Sequence, residues 1–200
     1  MFGKLKNPEM IFDQFFLPWY EEKENIKMKI RPDMFKVVKE GTSIEEINVL
    51  SDEGIIKIRN HINTLIKACH EDWSSFLSIT GEIGLNEIDL FDKYYNKRRV
   101  IELMKNAKTD DFSNEFIVTC CEFGSVIGNA MIKCNNDLCW IYDYPYWDSM
   151  IYHKNTGYMI SVFSWAINKF SSYGINDGYY AKINKCLDIL KEEEIKLKND

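Results

Sequence analysis

The chain changes its hydrophobic period abruptly at one place, and that switch restricts the folds open to it. Across residues 116–131, Phe116, Cys120, Phe123, Ile127, Ala130 and Met131 recur at helical spacing and form one apolar stripe. Beyond the turn Asn135-Asn136-Asp137 the period becomes two, with Trp140, Tyr142, Tyr144 and Tyr146 alternating against Ile141, Asp143 and Pro145. A striped helix feeding a pleated strand predicts a helix packed on a sheet. Gly124 and Gly128 lie four residues apart in that helix. Interior helical glycine costs about 0.5–1 kcal/mol relative to alanine, so the pair calls for a reason: close approach of another element, or room opened for a ligand. The complementary partner is the row of large rings that follows it.

Around this junction the pattern reads as helices on either side of a small meander. Ser51-Asp52-Glu53 is a helix entry, and Ile55, Ile58, Ile62, Leu65, Ile66 and Cys69 continue it on one apolar face. Residues 85–105 read as one further helix, with the basic run KYYNKRR on its solvated face. Pro145 cannot donate to a ladder, so the aromatic strand bends or ends there. DSMIYH and YMISVF read as two more strands, joined through Lys154-Asn155-Thr156-Gly157. Phe163, Ala166, Ile167 and Phe170, then Ile183, Cys186, Leu187 and Leu190, mark two closing helices. The expected fold is α+β, mainly helical, with an antiparallel three-stranded meander near residues 138–162. The expected organisation is a single domain over residues 1–200, with an irregular N-terminal segment over 1–54 and the main body over 55–200.

Charge narrows the partners. The formal net charge is -6, which disfavours nucleic acid and anionic membrane surfaces and suits a basic protein partner. Asp13 and Pro8 interrupt the N-terminus where a secretion signal needs an apolar run. Glu122, Asn129 and Lys133 break up the most apolar helix, so no membrane span is expected. These features predict a cytoplasmic protein whose six cysteines are reduced. Cys134 and Cys139, with His153 beyond, come nearest to metal-ligand spacing; without a C-x-x-C pair they read as small buried hydrophobes, and no metal or cofactor is expected.

Catalytic templates are missing: there is no G-x-S-x-G, no H-E-x-x-H and no phosphate-binding glycine loop, so no catalytic residue is assigned. Among the three histidines, His153 is the site candidate, because it ends a strand beside the hairpin loop. The aromatic stretch offers more. Of the 28 aromatic residues, 13 fall within residues 140–180, more than core packing of that length requires. Tyrosine and tryptophan bring large contact area with a polar tip, and nearby carboxylates suit a cationic group. The expected binding face combines Asp143, Tyr144, Trp147, Asp148 and Asp177. Trp147→Ala with Asp148→Ala is expected to weaken binding while leaving the fold cooperative. The alternative is a small hydrolase with Asp143 and Asp148 as acid and base in an aromatic cleft. A homodimer through the aromatic patch is a third arrangement.

The run from EFGSVIGNAMIKC through the aromatic strand to FSSYGINDG resembles a layout found in bacterial cytosolic proteins of uncharacterised activity. In that layout a glycine-bearing helix leads into an aromatic strand, a hairpin and a tryptophan-bearing helix. Some of these proteins are similar to immunity proteins that neutralise a toxin from neighbouring bacteria. The matching positions are Gly124, Gly128, Tyr144, Trp147, Trp165, Tyr173 and Asp177, and the likeness spans roughly residues 115–190. It carries no catalytic motif. It implies an immunity-type protein that binds and occludes a partner, possessing no cofactor.

Overall fold

A computed structural model describes residues 4–20, 33–79 and 81–199. The helices are α1 (Pro8–Ile11), α2 (Ile44–Ile47), α3 (Asp52–Phe76), α4 (Leu85–Tyr94), α5 (Lys97–Asn106), α6 (Glu115–Cys134), α7 (Val162–Lys169) and α8 (Tyr179–Asn199). The strands are β1 (Phe35–Lys36), β2 (Leu138–Ile141), β3 (Met150–His153) and β4 (Tyr158–Ile160). The fold is α+β with a helical majority, 62% of it helix.

The sheet is antiparallel in the order β1-β4-β3-β2, so it has four strands where the sequence suggested three. The additional strand is supplied by the N-terminal segment: Phe35 pairs with Met159 and Lys36 with Tyr158. Two residues with no alternating pattern around them carry no strand signal, and only the exposed edge of β4 makes them one. The third expected strand is also shorter. It stops at Ile160, and Val162 and Phe163 already belong to α7.

Register follows the period-two rule. Trp140 pairs with Ile151, which pairs with Ile160, and this face lies against the main core. On the other face Ile141, Tyr152 and Met159 form a second small cluster, covered by Phe35, Val38, Ile44 and Ile47. The sheet is therefore buried on both sides, and Tyr152 ties the cover down by donating its hydroxyl to the Thr42 carbonyl, 3.1 Å.

α6 is the central helix. By length and composition it is apolar enough to cross a membrane, and 78% of that window is buried inside the fold. A helix that is apolar all round is at home in such a core. The two glycines explain how it fits. A Cβ on Gly124 would lie 2.6 Å from the Phe163 ring, and one on Gly128 would run into the Trp140 ring. α7 and β2 thus press directly onto the α6 backbone, the close approach the sequence predicts.

The 85–105 segment is two helices. Asn96 interrupts it, its side-chain oxygen accepting from Arg98 N and Arg99 N at 3.1 and 3.3 Å and starting α5 afresh. The break lets Tyr95 turn inward, where its ring lies 4.4 Å from Phe91 and 5.6 Å from Phe170. The basic run stays in solvent, with Arg99 over the Tyr94 ring at 3.7 Å.

In the described part of the N-terminal segment short elements alternate with irregular stretches. Asn7 caps α1, a π-helical turn follows over Phe12–Phe16, and a 3-10 turn over Leu17–Trp19. Phe15 and Phe16 are fully buried; the Phe15 ring stands 4.6 Å from Phe116 and the Phe16 ring 5.5 Å from Trp147. Their burial, Phe15 against α6 and Phe16 against Trp147, stabilises the segment, since fully burying a Phe contributes about 1.5–3 kcal/mol.

Candidate functional site

The loop between β2 and β3 carries four of the five residues expected to bind. β2 ends at Ile141, before Pro145, and the chain then makes a 3-10 turn over Tyr146–Asp148. Ending the strand there breaks the alternation. Trp140 and Tyr142 remain on the core side, stacked at 6.2 Å, and Tyr146 is buried, whereas Tyr144 is 53% exposed.

Trp147 does not face solvent. It is 5% exposed, packed among Phe16, Tyr20, Phe112 and Tyr146 with ring centroids 5.0–6.0 Å away. Its indole Nε1 donates to the Tyr20 hydroxyl at 3.0 Å, and that hydroxyl donates to the Asp148 carboxylate at 2.9 Å. Burial, then the Asp148 charge, pushes the Tyr20 hydroxyl far up in pKa, so it keeps the proton it donates. Trp147 and Asp148 are thus a buttress that grips the N-terminal segment. Removing both would strip this buttress along with any outward contact, so the double variant does not separate binding from stability.

Asp143 holds the loop itself. Its Oδ1 accepts from Tyr144 N at 2.7 Å, its backbone N–H donates to Ser149 Oγ at 3.0 Å, and Ser149 Oγ donates back to its carbonyl at 3.4 Å. Asp143 is half-buried, and its charge also acts on Tyr20. Both carboxylates proposed for hydrolysis are therefore engaged in holding this loop.

Asp177 stands apart from this group. Its carbonyl accepts from Lys169 Nζ at 3.4 Å, at the C-terminal end of α7. Asp143, Tyr144, Trp147 and Asp148 share the loop between β2 and β3, whereas Asp177 is exposed in the segment between α7 and α8.

No family model, curated protein or solved structure matches this chain. Its chemistry must be read from its own residues.

A cleft of about 340 Å³ opens between α3, α6 and the segment before α4, with Ile66, Ile83 and Val126 as apolar lining and Lys67, His70 and Lys133 among its polar groups. None of the five expected binding residues lines it. His70 is held at its edge by a 2.7 Å contact from Nε2 to the Gly81 carbonyl.

Two buried charge sites carry no sequence motif. Lys169, 1% exposed, forms an ion pair with Asp92 at 2.8 Å. Its spacing of three from Ala166 on the apolar stripe of α7 was the available signal. Glu122 is 5% exposed on α6, and burial, followed by the Asp72 charge, raises its carboxyl from 4.5 to about 7.

The Glu122 shift fixes a pH dependence. The folded state binds the proton more tightly than the unfolded chain, so this group's contribution to stability is full below pH 4.5 and is lost as pH rises through about 7. The loss amounts to about 3 kcal/mol, at about 1.36 kcal/mol per pKa unit. Glu122→Gln is expected to add about that much at pH 8 and nothing at pH 4. Urea midpoints at the two pH values check this; an equal change at both would refute it.

Cys69, Cys120, Cys121 and Cys186 are buried, in keeping with small hydrophobes, while Cys134 is exposed and Cys139 half-buried. His153, the histidine singled out from the sequence, is fully buried, and burial lowers its pKa.

Proposed function

We propose that this chain is a binding protein of immunity type that neutralises a basic partner domain by occluding it, with Tyr144 and Asp143 at the centre of the contact. The observation that carries the reading is an exposed tyrosine on a loop already locked in place. Tyr144 projects beside a half-buried carboxylate, and its backbone is tied by Asp143 and Ser149. A rigid aromatic anchor loses little entropy on binding, which is how a few residues come to dominate an interface. The net charge of -6 would steer a cationic partner towards it. Trp147 and Asp148 serve as the support behind the loop.

The test uses the purified basic domain encoded by the reading frame next to this one, titrated by calorimetry. Tyr144→Ala with Asp143→Asn is expected to weaken binding more than about ten-fold, about 1.4 kcal/mol, with the circular dichroism spectrum unchanged. The asparagine side chain keeps an oxygen that can accept from the backbone N–H of residue 144, so the loop stays tied. Equal affinity of variant and parent, or no binding by the parent, would overturn the proposal.

A further inference from the structure

Asp137, His153 and Glu194 come from the turn before β2, the end of β3 and the second half of α8. One ligand atom from each lies within 4.8 Å of the other two. His153 Nε2 stands 3.4 Å from Glu194 Oε1, with the imidazole wholly buried and the two carboxylates partly so.

The surrounding hydrogen bonds decide which way the ring presents itself. Asn135 Oδ1 accepts from the Asp137 backbone N–H at 2.9 Å, which turns its amide nitrogen towards His153 Nε2, 3.3 Å away. Facing a donor, Nε2 holds a lone pair rather than a proton, and an ion bound there would take that lone pair in place of the Asn135 amide. Nδ1 then carries the proton and donates to Thr156 Oγ1 at 2.8 Å. Glu194 Oε1 accepts from Asn155 Nδ2 at 2.7 Å, which fixes the carboxylate in turn. The result is a lone pair and a carboxylate oxygen facing each other at 3.4 Å beside a second carboxylate. Two acceptors so placed are reconciled by a proton or by a cation between them, and a second carboxylate beside the pair adds a third ligand for a cation. Neighbouring Lys154 sends its amine to the Asn136 carbonyl at 3.3 Å.

We propose that Asp137, His153 and Glu194 form a binding site for a divalent transition-metal ion of the zinc type, with the remaining position open to water. Metal–ligand bonds of about 2.0–2.1 Å at tetrahedral angles put ligand atoms about 3.3–3.4 Å apart, the separation His153 and Glu194 already have. An imidazole among the ligands favours zinc-like ions over magnesium or calcium, which take oxygen. Thr156 on Nδ1 and Asn155 on the carboxylate act as the outer partners that orient metal ligands. The ion would clasp α8 to the β2–β3 end of the sheet and so bind the folded chain alone. The site is separate from the Tyr144 loop and does not depend on the binding role proposed for it.

The test takes the full chain stripped with a chelator and titrates Zn2+ by calorimetry, with Co2+ absorption in parallel. One equivalent should bind and raise the melting temperature. Co2+ should give visible d–d bands without a thiolate charge-transfer band. Glu194→Gln and Asp137→Asn should each weaken Zn2+ binding about ten-fold or more, while Cys134→Ser and His70→Gln leave it unchanged. Because His153 is buried, the two carboxylate variants decide the matter, with helix content verified for each. Absence of Zn2+ binding, insensitivity to both carboxylate variants, or loss of binding with Cys134→Ser would overturn the site and leave His153 Nε2 as the acceptor of the Asn135 amide.

Discussion

Lys169→Met is expected to cost about 3–5 kcal/mol of stability, because it strands a buried carboxylate. Lys169 is 1% exposed, and its ammonium lies 2.8 Å from Asp92 Oδ1 and 3.5 and 3.4 Å from the carbonyls of Ile175 and Asp177. Asp92 Oδ2 accepts from Tyr179 N at 2.7 Å, so the pair joins α4, the end of α7 and the start of α8. Methionine matches the lysine stem and removes the charge together with its donors to the two carbonyls. Burial is the largest influence on Asp92 and raises its pKa even with Lys169 present. In the variant its escape is to take up a proton, so the deficit should shrink as pH falls. Lys169→Met with Asp92→Asn should recover most of the loss, since asparagine still accepts from Tyr179. Urea midpoints at pH 7 for the single and double variants provide the measurement. A single-variant loss below about 1 kcal/mol, or a double variant no better than the single, would contradict the assignment.

The second large effect falls on Trp147. Replacing it with alanine is expected to destabilise by about 3–5 kcal/mol, the range for removing a buried Trp or Phe side chain. The ring fills space among Phe16, Tyr20 and Phe112, and its loss removes the Nε1 donor to Tyr20. Protection of the N-terminal segment against protease should drop with it. Tyr144→Ala, three residues away but exposed, should leave the unfolding midpoint where it was. Were Trp147→Ala as stable as the parent, the buttress described above would be wrong. The contrast separates two rings that look equivalent in the sequence.

That equivalence shows where sequence reading stops. Strand alternation puts Tyr144 and Tyr146 on one side, but it holds only while a strand continues, and β2 ends at Ile141. Past that point, whether a ring turns inward depends on what is waiting for it. Trp147 turns in because Phe16 and Tyr20, more than a hundred residues earlier, complete its pocket. Asp177 belongs to a different connection, between α7 and α8, and its backbone carbonyl is taken by Lys169. Asn96 is different. Its side chain is a good cap on its own evidence, so the break it makes in the 85–105 helix is legible in the sequence, where the continuing apolar stripe masks it.

The elements that local spacing determines are evident before any coordinates: α3 from its capped apolar stripe, the close packing around Gly124 and Gly128, the β3–β4 hairpin and the α+β class. Each depends on residues within a few positions of one another, where helical and strand periods and capping hydrogen bonds operate. Tertiary structure alone decided the fourth strand, the burial of Trp147, the Lys169–Asp92 pair and the meeting of Asp137, His153 and Glu194. These join stretches separated by many tens of residues, and they form only when folding removes water from both partners together. Desolvation and distance, which set their charge and their chemistry, have no value in a chain until it has closed.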